Sequence, residues 1–365
     1  MQRIIEVIND TIKRPGVECL PCDRVNLDYD RHREYAESEE HQATDLFENP
    51  NPKHSTVDTP DIHGSVPSII RYFLDGSRRT YKIGDLLVKG RYLPLIAGQV
   101  GVAVVERQQS RRRYVPLRDF CSFANAIAFP DQLASPEDMV ALGEKIEKTT
   151  GNRFKLLRYK VKPDRDPVDL GVAKVMSFMA DLELQAVHDM SEKQLLQTNA
   201  MLVKDGPLRY KNVRGRGFDF LQFRNVLGVS KTFRSSFPVG SGRRKKDVGA
   251  ITSGLFMGER TPVFKTLEEG RHIGMWYLRL RQPEKMSNPL QGIIKIECYA
   301  VDRIEEQQGL DADRITTISA HLLRERNVTA YGADKRWATH LYPVYVAENF
   351  IKSSLLSDVR FEALF

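Results

Sequence analysis

Three acidic residues stand where carboxylates could act together. Asp75 and Asp205 each come at the end of an apolar run, and each is followed by glycine. Glu183 lies four residues after Met179 and seven after Met176, within the apolar stripe of a predicted helix. An unpaired carboxylate buried there would be costly, so we expect Glu183 to be neutral, paired or bound to a cation.

Together the three carboxylates predict a metal site. If the strands that carry Asp75 and Asp205 are neighbours and the Glu183 helix packs across them, all three side chains share one end of the sheet. Clustered anions repel one another in a low dielectric, and a bound divalent cation relieves that repulsion. Oxygen ligands favour Mg²⁺ or Mn²⁺ over zinc. Such ions activate water and stabilise the leaving oxygen of a phosphodiester, so the pattern predicts metal-dependent phosphodiester hydrolysis.

Each acid also has a structural interpretation that the sequence leaves open. Asp-Gly at the end of a strand is a common turn, which would account for both aspartates. Glu183 could lie at the edge of its stripe and reach solvent or an arginine. In that case Glu106, at the end of the apolar run VAVVE, becomes the replacement candidate.

The elements that must position these residues begin with a series of strands. The run SIIRYFLDGS (68–77) predicts a central strand that runs into a turn at its Asp-Gly end. Strand-like segments at 79–90, 92–107 and 111–123 then predict an antiparallel meander that starts from this strand. Further predicted strands occupy 200–208, 223–231, 275–282 and 292–301.

Helices separate and follow these strands. They are predicted at 2–14, 135–151, 171–199, 313–326 and 343–356. The order of elements predicts an α/β fold, a mixed sheet flanked by helices. Residues 23–67 are polar and carry four prolines, which predicts an arm or an insertion. We therefore expect an N-terminal helix and acidic arm over 1–65 and one α/β domain over 66–365.

The charges of the 365-residue chain are unevenly placed. Its 55 basic and 48 acidic residues give a net charge of +7, but the acidic arm (28–63) holds ten acids and three bases. The basic strip (205–246) holds eleven bases and two acids. Such a strip is the electrostatic footprint of a phosphate-backbone binder, although it could equally be a solvated face. The predicted nucleic-acid contacts within it are Arg214, Arg216, Lys231, Arg243, Arg244 and Lys245.

Several classes of protein are disfavoured by the composition. No apolar run is long enough to span a bilayer and the four cysteines are too few for a disulfide scaffold, so we expect a cytoplasmic protein. No P-loop or GxGxxG motif occurs, so any ATP-driven movement must come from a partner. Cys19 and Cys22 form a lone CxxC, a weak zinc signal. The arginines at 111–113, followed by Tyr114, could bind DNA by charge and stacking or form a basic turn.

Five motifs, in order along the chain, resemble those of the NurA nucleases. They are FLDGS (73–77), DLELQA (181–186), LVKDGPL (202–208), LGVSK (227–231) and HLYPVYVAE (340–348). The resemblance covers about residues 66–360. It implies an RNase H-like, Piwi-related core, a homodimer, and action with the hexameric HerA translocase on DNA ends. The acidic arm and the loop 241–254 lie outside the family pattern.

The resemblance also implies roles for individual residues. Asp75, Glu183 and Asp205 match the acidic metal ligands, and Lys231 matches the lysine after the following strand. His340 and Tyr342 match the motif at the head of the last helix. We assign Lys231 to a phosphate and His340 to metal binding or proton transfer, although Lys231 could simply be exposed and His340 could cap its helix. Glu348 is a weaker candidate for a fourth acid.

The leading expectation is thus a Mn²⁺- or Mg²⁺-dependent deoxyribonuclease, an exonuclease with single-strand endonuclease activity, serving DNA end processing or antiviral defence. The alternative is a DNA-binding or adaptor subunit of a HerA-like ATPase in which the acids are structural. A Piwi-like module that uses a guide strand is disfavoured, because nothing in residues 1–65 resembles a domain that grips guide ends.

Overall fold

A computed structural model describes most of the chain. The described residues are 3–12, 16–27, 45–62, 64–109, 113–132, 136–208, 210, 213, 215, 217–240, 245–326 and 335–365. Within them the α-helices are α1 (Ile4–Thr11), α2 (Pro136–Thr150), α3 (Pro167–Glu192), α4 (Val248–Thr252), α5 (Arg303–Gln308), α6 (Ala312–Arg324), α7 (Tyr342–Ser354) and α8 (Asp358–Glu362).

The strands of the described residues follow the same chain order. They are β1 (Val17–Asn26), β2 (Glu48–Asn49), β3 (Val57–Asp58), β4 (Ile70–Val88), β5 (Arg91–Gln108), β6 (Arg113–Pro116), β7 (Ser122–Pro130), β8 (Phe154–Tyr159), β9 (Met201–Asp205), β10 (Val226–Ser230), β11 (Pro238–Val239), β12 (Lys246–Asp247), β13 (Glu259–Arg260), β14 (Phe264–Glu268), β15 (Arg271–Arg279), β16 (Ile293–Tyr299) and β17 (Leu310–Asp311). Among these residues no helix is long and apolar enough to cross a membrane.

One large mixed sheet organises the fold, and it confirms the predicted α/β class. In the described part of the chain thirteen strands belong to it, with the central order β16-β10-β9-β4-β5-β7-β8. The predicted meander is confirmed, because β5 pairs antiparallel with both β4 and β7. The strands that carry Asp75 and Asp205 are neighbours as predicted: β9 runs parallel to β4, and β10 runs parallel to β9.

The predicted turn at Asp75-Gly76 is wrong. Strand β4 continues for 19 residues through this dipeptide and through the segment predicted as a separate strand. Strand β5 pairs with it along its length, and the turn comes at Lys89-Gly90, where both residues have positive φ. At the second Asp-Gly the prediction of a strand end holds, since Gly206 has φ +90° directly after β9. The same dipeptide therefore has two conformations, decided by whether a neighbouring strand continues beside it.

The central strands carry a helix on each face. Helix α3 packs where Gly98 leaves room for Val175, and α7 packs where Gly101 leaves room for Ile351. These glycines lie an odd number of residues apart on β5, so the two helices cover opposite faces. Helix α3 begins four residues before its predicted start, because Asp166 caps it.

The described residues before position 66 pack against the rest of the protein. Strand β1 pairs with the second half of β4, β2 pairs with β17, and β3 pairs with β13. Phe47 is buried in the main core, and the buried carboxylate of Glu48 binds the guanidinium of Arg260. Residues 45–62 thus pair with the sheet and bury Phe47 and Glu48, whereas most of their other side chains are exposed. Residues 28–44 and 63 of the acidic arm lie outside the described residues.

Candidate functional site

Asp75 and Asp205 lie side by side in the centre of the sheet. The last pair of the β4–β9 ladder is Leu74 with Lys204, so the two aspartates come next on both strands. Phe73, two residues before Asp75, packs in the core that α7 covers. Because side chains alternate along a strand, Asp75 faces α7 as well. Asp75 is 5% exposed, whereas Asp205 is only partly buried at the end of β9.

The pKa of Asp75 is shifted by its burial and by the charges around it. Burial and then the charge of Asp205 raise the pKa of Asp75 well above its ordinary value. Lys231 opposes the shift, whereas Glu348 and Glu183 add to it. Such surroundings favour the protonated form of the carboxyl group, whereas a bound cation would favour its charged form.

Lys231 supplies one positive charge to this cluster. It follows directly after β10, which pairs with β9 so that Val229 lies opposite Asp205. Its Nζ atom donates a hydrogen bond to Oδ2 of Asp205 at 2.9 Å. Burial lowers the pKa of Lys231, but Asp205 and Asp75 outweigh burial and leave the pKa raised, so the lysine stays protonated. The predicted phosphate-binding lysine therefore neutralises a predicted metal ligand.

Glu183 reaches the sheet from the opposite face. It lies on α3, and its Oε1 atom sits against Gly76, where a Cβ atom would clash with it. Its Oε2 atom is 3.0 Å from Nζ of Lys204, and the ion pair is buried. The hydroxyl of Tyr210 donates to the same oxygen at 3.5 Å. The three predicted ligands are thus close in space, but Glu183 does not share the α7 side of the sheet with Asp75 and Asp205.

Lys204 is a site residue that the sequence prediction missed. Its Nζ atom contacts Glu183 and also donates to the carbonyl oxygens of Asp205, at 2.9 Å, and Pro207, at 3.3 Å. It therefore ties α3 to the turn that follows β9. A lysine within the apolar run LVKDG was the available signal, because a cation in a buried strand needs an anionic partner.

Glu348, the weaker candidate for a fourth acid, lies close enough to the cluster to affect its charges. It lies on α7, and its negative charge acts on both Asp75 and Lys231. Its Oε1 atom is 2.7 Å from Nζ of Lys352 one turn further along. Helix α7 thus brings a third carboxylate to the face that Asp75 and Asp205 share.

His340 and Tyr342 occupy the start of α7, away from the acids. The backbone N–H of His340 donates to the carbonyl oxygen of Trp337, and its side chain is buried. It lies eight residues before Glu348, about 12 Å along a helical path. Tyr342 is 41% exposed, and its ring is 5.7 Å from the ring of Tyr114. His340 therefore lies just before the helix that carries Glu348, and its role in metal binding or proton transfer stays a prediction.

The remaining predicted residues divide into three groups. Arg214, Arg216, Arg243 and Arg244 of the basic strip lie outside the described residues, and Lys245 is exposed. Glu106 binds Arg71 at 2.6 Å. Because Glu183 is buried, the condition for using Glu106 as a replacement ligand is not met.

The side chains near Asp75 are of a type that binds divalent cations, but their arrangement does not form a complete set of ligands. Asp75, Asp205 and Glu348 offer carboxylate oxygens, and the raised pKa of Asp75 indicates a shortage of positive charge. Among the described residues, however, no three His, Cys, Asp or Glu side chains are grouped closely enough to hold a metal ion. Instead, Lys204 forms an ion pair with Glu183, and Lys231 forms one with Asp205.

The comparisons with known proteins add no assignment to this geometry. No protein-family model matches the chain, and no curated protein matches it significantly. What the site can do is therefore inferred from its own residues.

We expect the cysteines to react with a thiol reagent in two classes. Burial raises the pKa of Cys19 and of Cys298 to about 12, so both thiols stay protonated and shielded in the folded protein. Cys22 is partly exposed and should react first. Timed labelling followed by mass spectrometry, with and without denaturant, measures this order. Joint protection of Cys19 and Cys22 by Zn²⁺ would instead favour the CxxC metal site.

Proposed function

We propose that this protein is a metal-dependent DNA nuclease of the NurA type, a cytoplasmic phosphodiester hydrolase that works as a homodimer with a HerA-like hexameric ATPase. The observation that carries the proposal is the pair of buried Asp75 and partly buried Asp205 on neighbouring parallel strands, with Lys231 and Glu348 beside it. Clustered carboxylates with a raised pKa and an adjacent cation are typical of functional sites rather than of cores.

The order of the central strands supports an RNase H-like core. Three antiparallel strands, β4, β5 and β7, precede α3, and β9 and β10 then run parallel to β4 on its other side. RNase H-like folds share this arrangement. Counted in the order β4, β5, β7 and β9, Asp75 lies on the first of these strands and Asp205 at the end of the fourth. Glu348 lies on the later helix α7.

The chain's own residues divide the work of such a reaction. Asp75, Asp205 and Glu348 would hold the ion, and Glu183 could join them only after leaving Lys204. A bound Mn²⁺ or Mg²⁺ supplies an activated water and neutralises the leaving oxygen. Lys231, protonated and 18% exposed at its side chain, is placed to transfer its contact from Asp205 to a phosphate oxygen.

A second candidate is favoured by the two lysine partners. Because Lys204 neutralises Glu183 and Lys231 neutralises Asp205, the acids have a structural role without any metal. A DNA-binding or adaptor subunit of a HerA-like ATPase would need no more than this. The two candidates differ in whether the purified protein cleaves DNA.

The deciding experiment is a cleavage assay with a matched control. The full chain is incubated with labelled single- and double-stranded linear DNA and Mn²⁺, Mg²⁺ or EDTA, with and without a HerA-like ATPase. We expect metal-dependent cleavage that Asp205→Asn removes. Glu305→Gln is the control, because Glu305 binds Arg314 at 2.7 Å and its side chain is 16% exposed, against 23% for Asp205.

The outcomes separate the two candidates. Cleavage that is lost in Asp205→Asn and kept in Glu305→Gln supports the nuclease. DNA binding without cleavage under any of these conditions supports the adaptor. Cleavage that survives Asp205→Asn would contradict the assignment of the metal ligands.

A further inference from the structure

A cleft opens at the beginning of β4. Strand β4 pairs with β9 between this point and Asp75, so the cleft and the aspartates lie at opposite ends of the paired segment. The cleft consists of two adjoining cavities of about 770 and 420 Å³, both lined by Pro67, Ser68, Arg107 and Gln109. The cleft is therefore formed by the segment before β4 and the end of β5. We call it the arginine cleft, because Arg71, Arg107, Arg113 and Arg324 line it.

Arg107 is the fixed centre of this cleft. Its guanidinium lies 5.6 Å from the ring centre of Phe73 and 5.2 Å from that of Tyr114. Its Nε atom donates to the carbonyl oxygen of Ile70, and it binds the buried carboxylate of Glu325. This fixes a positive charge in the wall of the cleft.

The other arginines surround this centre. Arg324 donates to the carbonyl oxygens of Val66, at 2.9 Å, and Gly64, at 3.3 Å, and so holds one wall. Arg71 and Arg113 are exposed at the rim.

The balance of charge makes the cleft a site for an anion. In the described part of the chain, four arginines of the cleft face two carboxylates: Glu106 binds Arg71, and Glu325 binds Arg107. Arg113 donates to the neutral side chain of Gln108 at 3.1 Å, so its charge is not neutralised by that contact. Gln109 and Asn199, which also line the cleft, add neutral amide groups. Planar guanidinium groups with amide donors are suited to phosphate oxygens.

The cleft and the aspartate cluster lie along the same strand, β4. Arg71 precedes Asp75 by four residues on β4, about 13 Å along the strand. Phe73 lies between them and touches Arg107. On the α7 side, the ring of Tyr114 contacts that of Tyr342, whose exposed face could stack on a base. A strand bound in the cleft would therefore have the ring of Tyr342 on the α7 side and the acids about 13 Å further along β4.

We propose that the arginine cleft binds the phosphate backbone of a single nucleic-acid strand whose neighbouring segment lies at Asp75 and Asp205. This inference rests on the proposed function, and it deepens it by assigning a strand-binding subsite apart from the basic strip. The cleft provides phosphate contacts through Arg71, Arg107 and Arg113, and Tyr342 provides the stacking surface.

The test compares two double variants that remove the same charge. The cleft variant is Arg71→Gln with Arg113→Gln. The control is Arg91→Gln with Arg165→Gln, because these arginines line a cavity of about 470 Å³ beyond the far end of β4. The affinity of the full chain for a labelled oligothymidylate of about 16 nucleotides is measured in EDTA across a salt series. Thermal unfolding of both variants checks that they fold.

We expect the cleft variant to bind at least about tenfold more weakly, with its salt slope reduced by about 1.4 for two lost phosphate contacts. The control should change the affinity less than about twofold. Equal losses in the two variants would overturn the inference, because the strand would then respond to net charge alone. Unchanged binding in the cleft variant would overturn it as well.

A competition arm separates a strand from a free nucleotide, which offers the same phosphate chemistry. Effective displacement of the oligothymidylate by dTTP, lost in the cleft variant, would overturn the strand assignment in favour of a nucleotide pocket. Because binding is measured without metal, it does not depend on cleavage. If the protein does not cut DNA but the cleft variant still loses affinity for the strand, the inference about the arginine cleft stands and only the proposed nuclease activity is refuted.

Discussion

Asp75→Asn should abolish metal-dependent DNA cleavage and at the same time stabilise the metal-free protein. Asp75 is buried beside Asp205, and its pKa is raised by burial and by that neighbouring charge. Asparagine has nearly the same shape without the charge, so it removes the repulsion and a metal ligand together. We expect the cleavage rate to fall roughly a thousandfold.

The stabilisation should depend on pH in a defined direction. Because the folded pKa of Asp75 lies above its unfolded value, the folded state binds the proton more tightly. Wild-type stability is therefore lost as the pH rises from the unfolded value of 3.8 through the raised folded value. The variant lacks this titration. In EDTA near neutral pH its Tm should be higher by about 2 °C or more, which corresponds to roughly 1 kcal/mol.

The measurement is thermal unfolding in EDTA at several pH values, with cleavage assayed in parallel. Asp205→Asn serves as the contrast, because it leaves Lys231 without the carboxylate that it binds at 2.9 Å. That variant should also lose cleavage but should not gain stability. A difference in Tm between Asp75→Asn and wild type that stays constant with pH would contradict the raised pKa.

Lys204→Met should destabilise the protein by about 3–5 kcal/mol, the usual cost of breaking a buried ion pair by removing one partner. The Lys204 and Glu183 side chains are 7% and 6% exposed, with 3.0 Å between Nζ and Oε2. Without the lysine, the Glu183 carboxylate stays buried against Gly76. The turn after β9 also loses two hydrogen bonds to its carbonyl oxygens.

A double-mutant cycle with Glu183→Gln measures the coupling between the two residues. Adding Glu183→Gln to Lys204→Met should recover part of the lost stability, because no unpaired charge then remains buried. Lys193→Met is the surface control: Lys193 lies 3.9 Å from Asp119 in an exposed pair, which should contribute about 0–1 kcal/mol. Urea unfolding gives all the free energies. A loss no larger than that of the control would show that Glu183 has another compensating partner.

Local patterns in the sequence determined much of the secondary structure. The apolar stripe of α3, the proline and capping signals of the helices and the alternation of strands and turns predicted the α/β class. That the strands of Asp75 and Asp205 are neighbours was a condition of the metal-site hypothesis, which the structure meets. Such patterns are readable because burial imposes the period of a strand or a helix on nearby residues. The turn signal failed at Asp75-Gly76, where the whole of β5 pairs beside it.

By itself, the sequence thus determined which residues are acidic, buried and borne on neighbouring elements. The tertiary structure decided their partners. It placed Asp75 and Asp205 with Lys231 and Glu348 on one face, paired Glu183 with Lys204 on the other, and buried Phe47 in the core. The physical reason is that the partner of a buried charge depends on strand register and helix packing. These bring together residues that are distant in sequence, such as Asp75 and Asp205, beyond the reach of any local pattern.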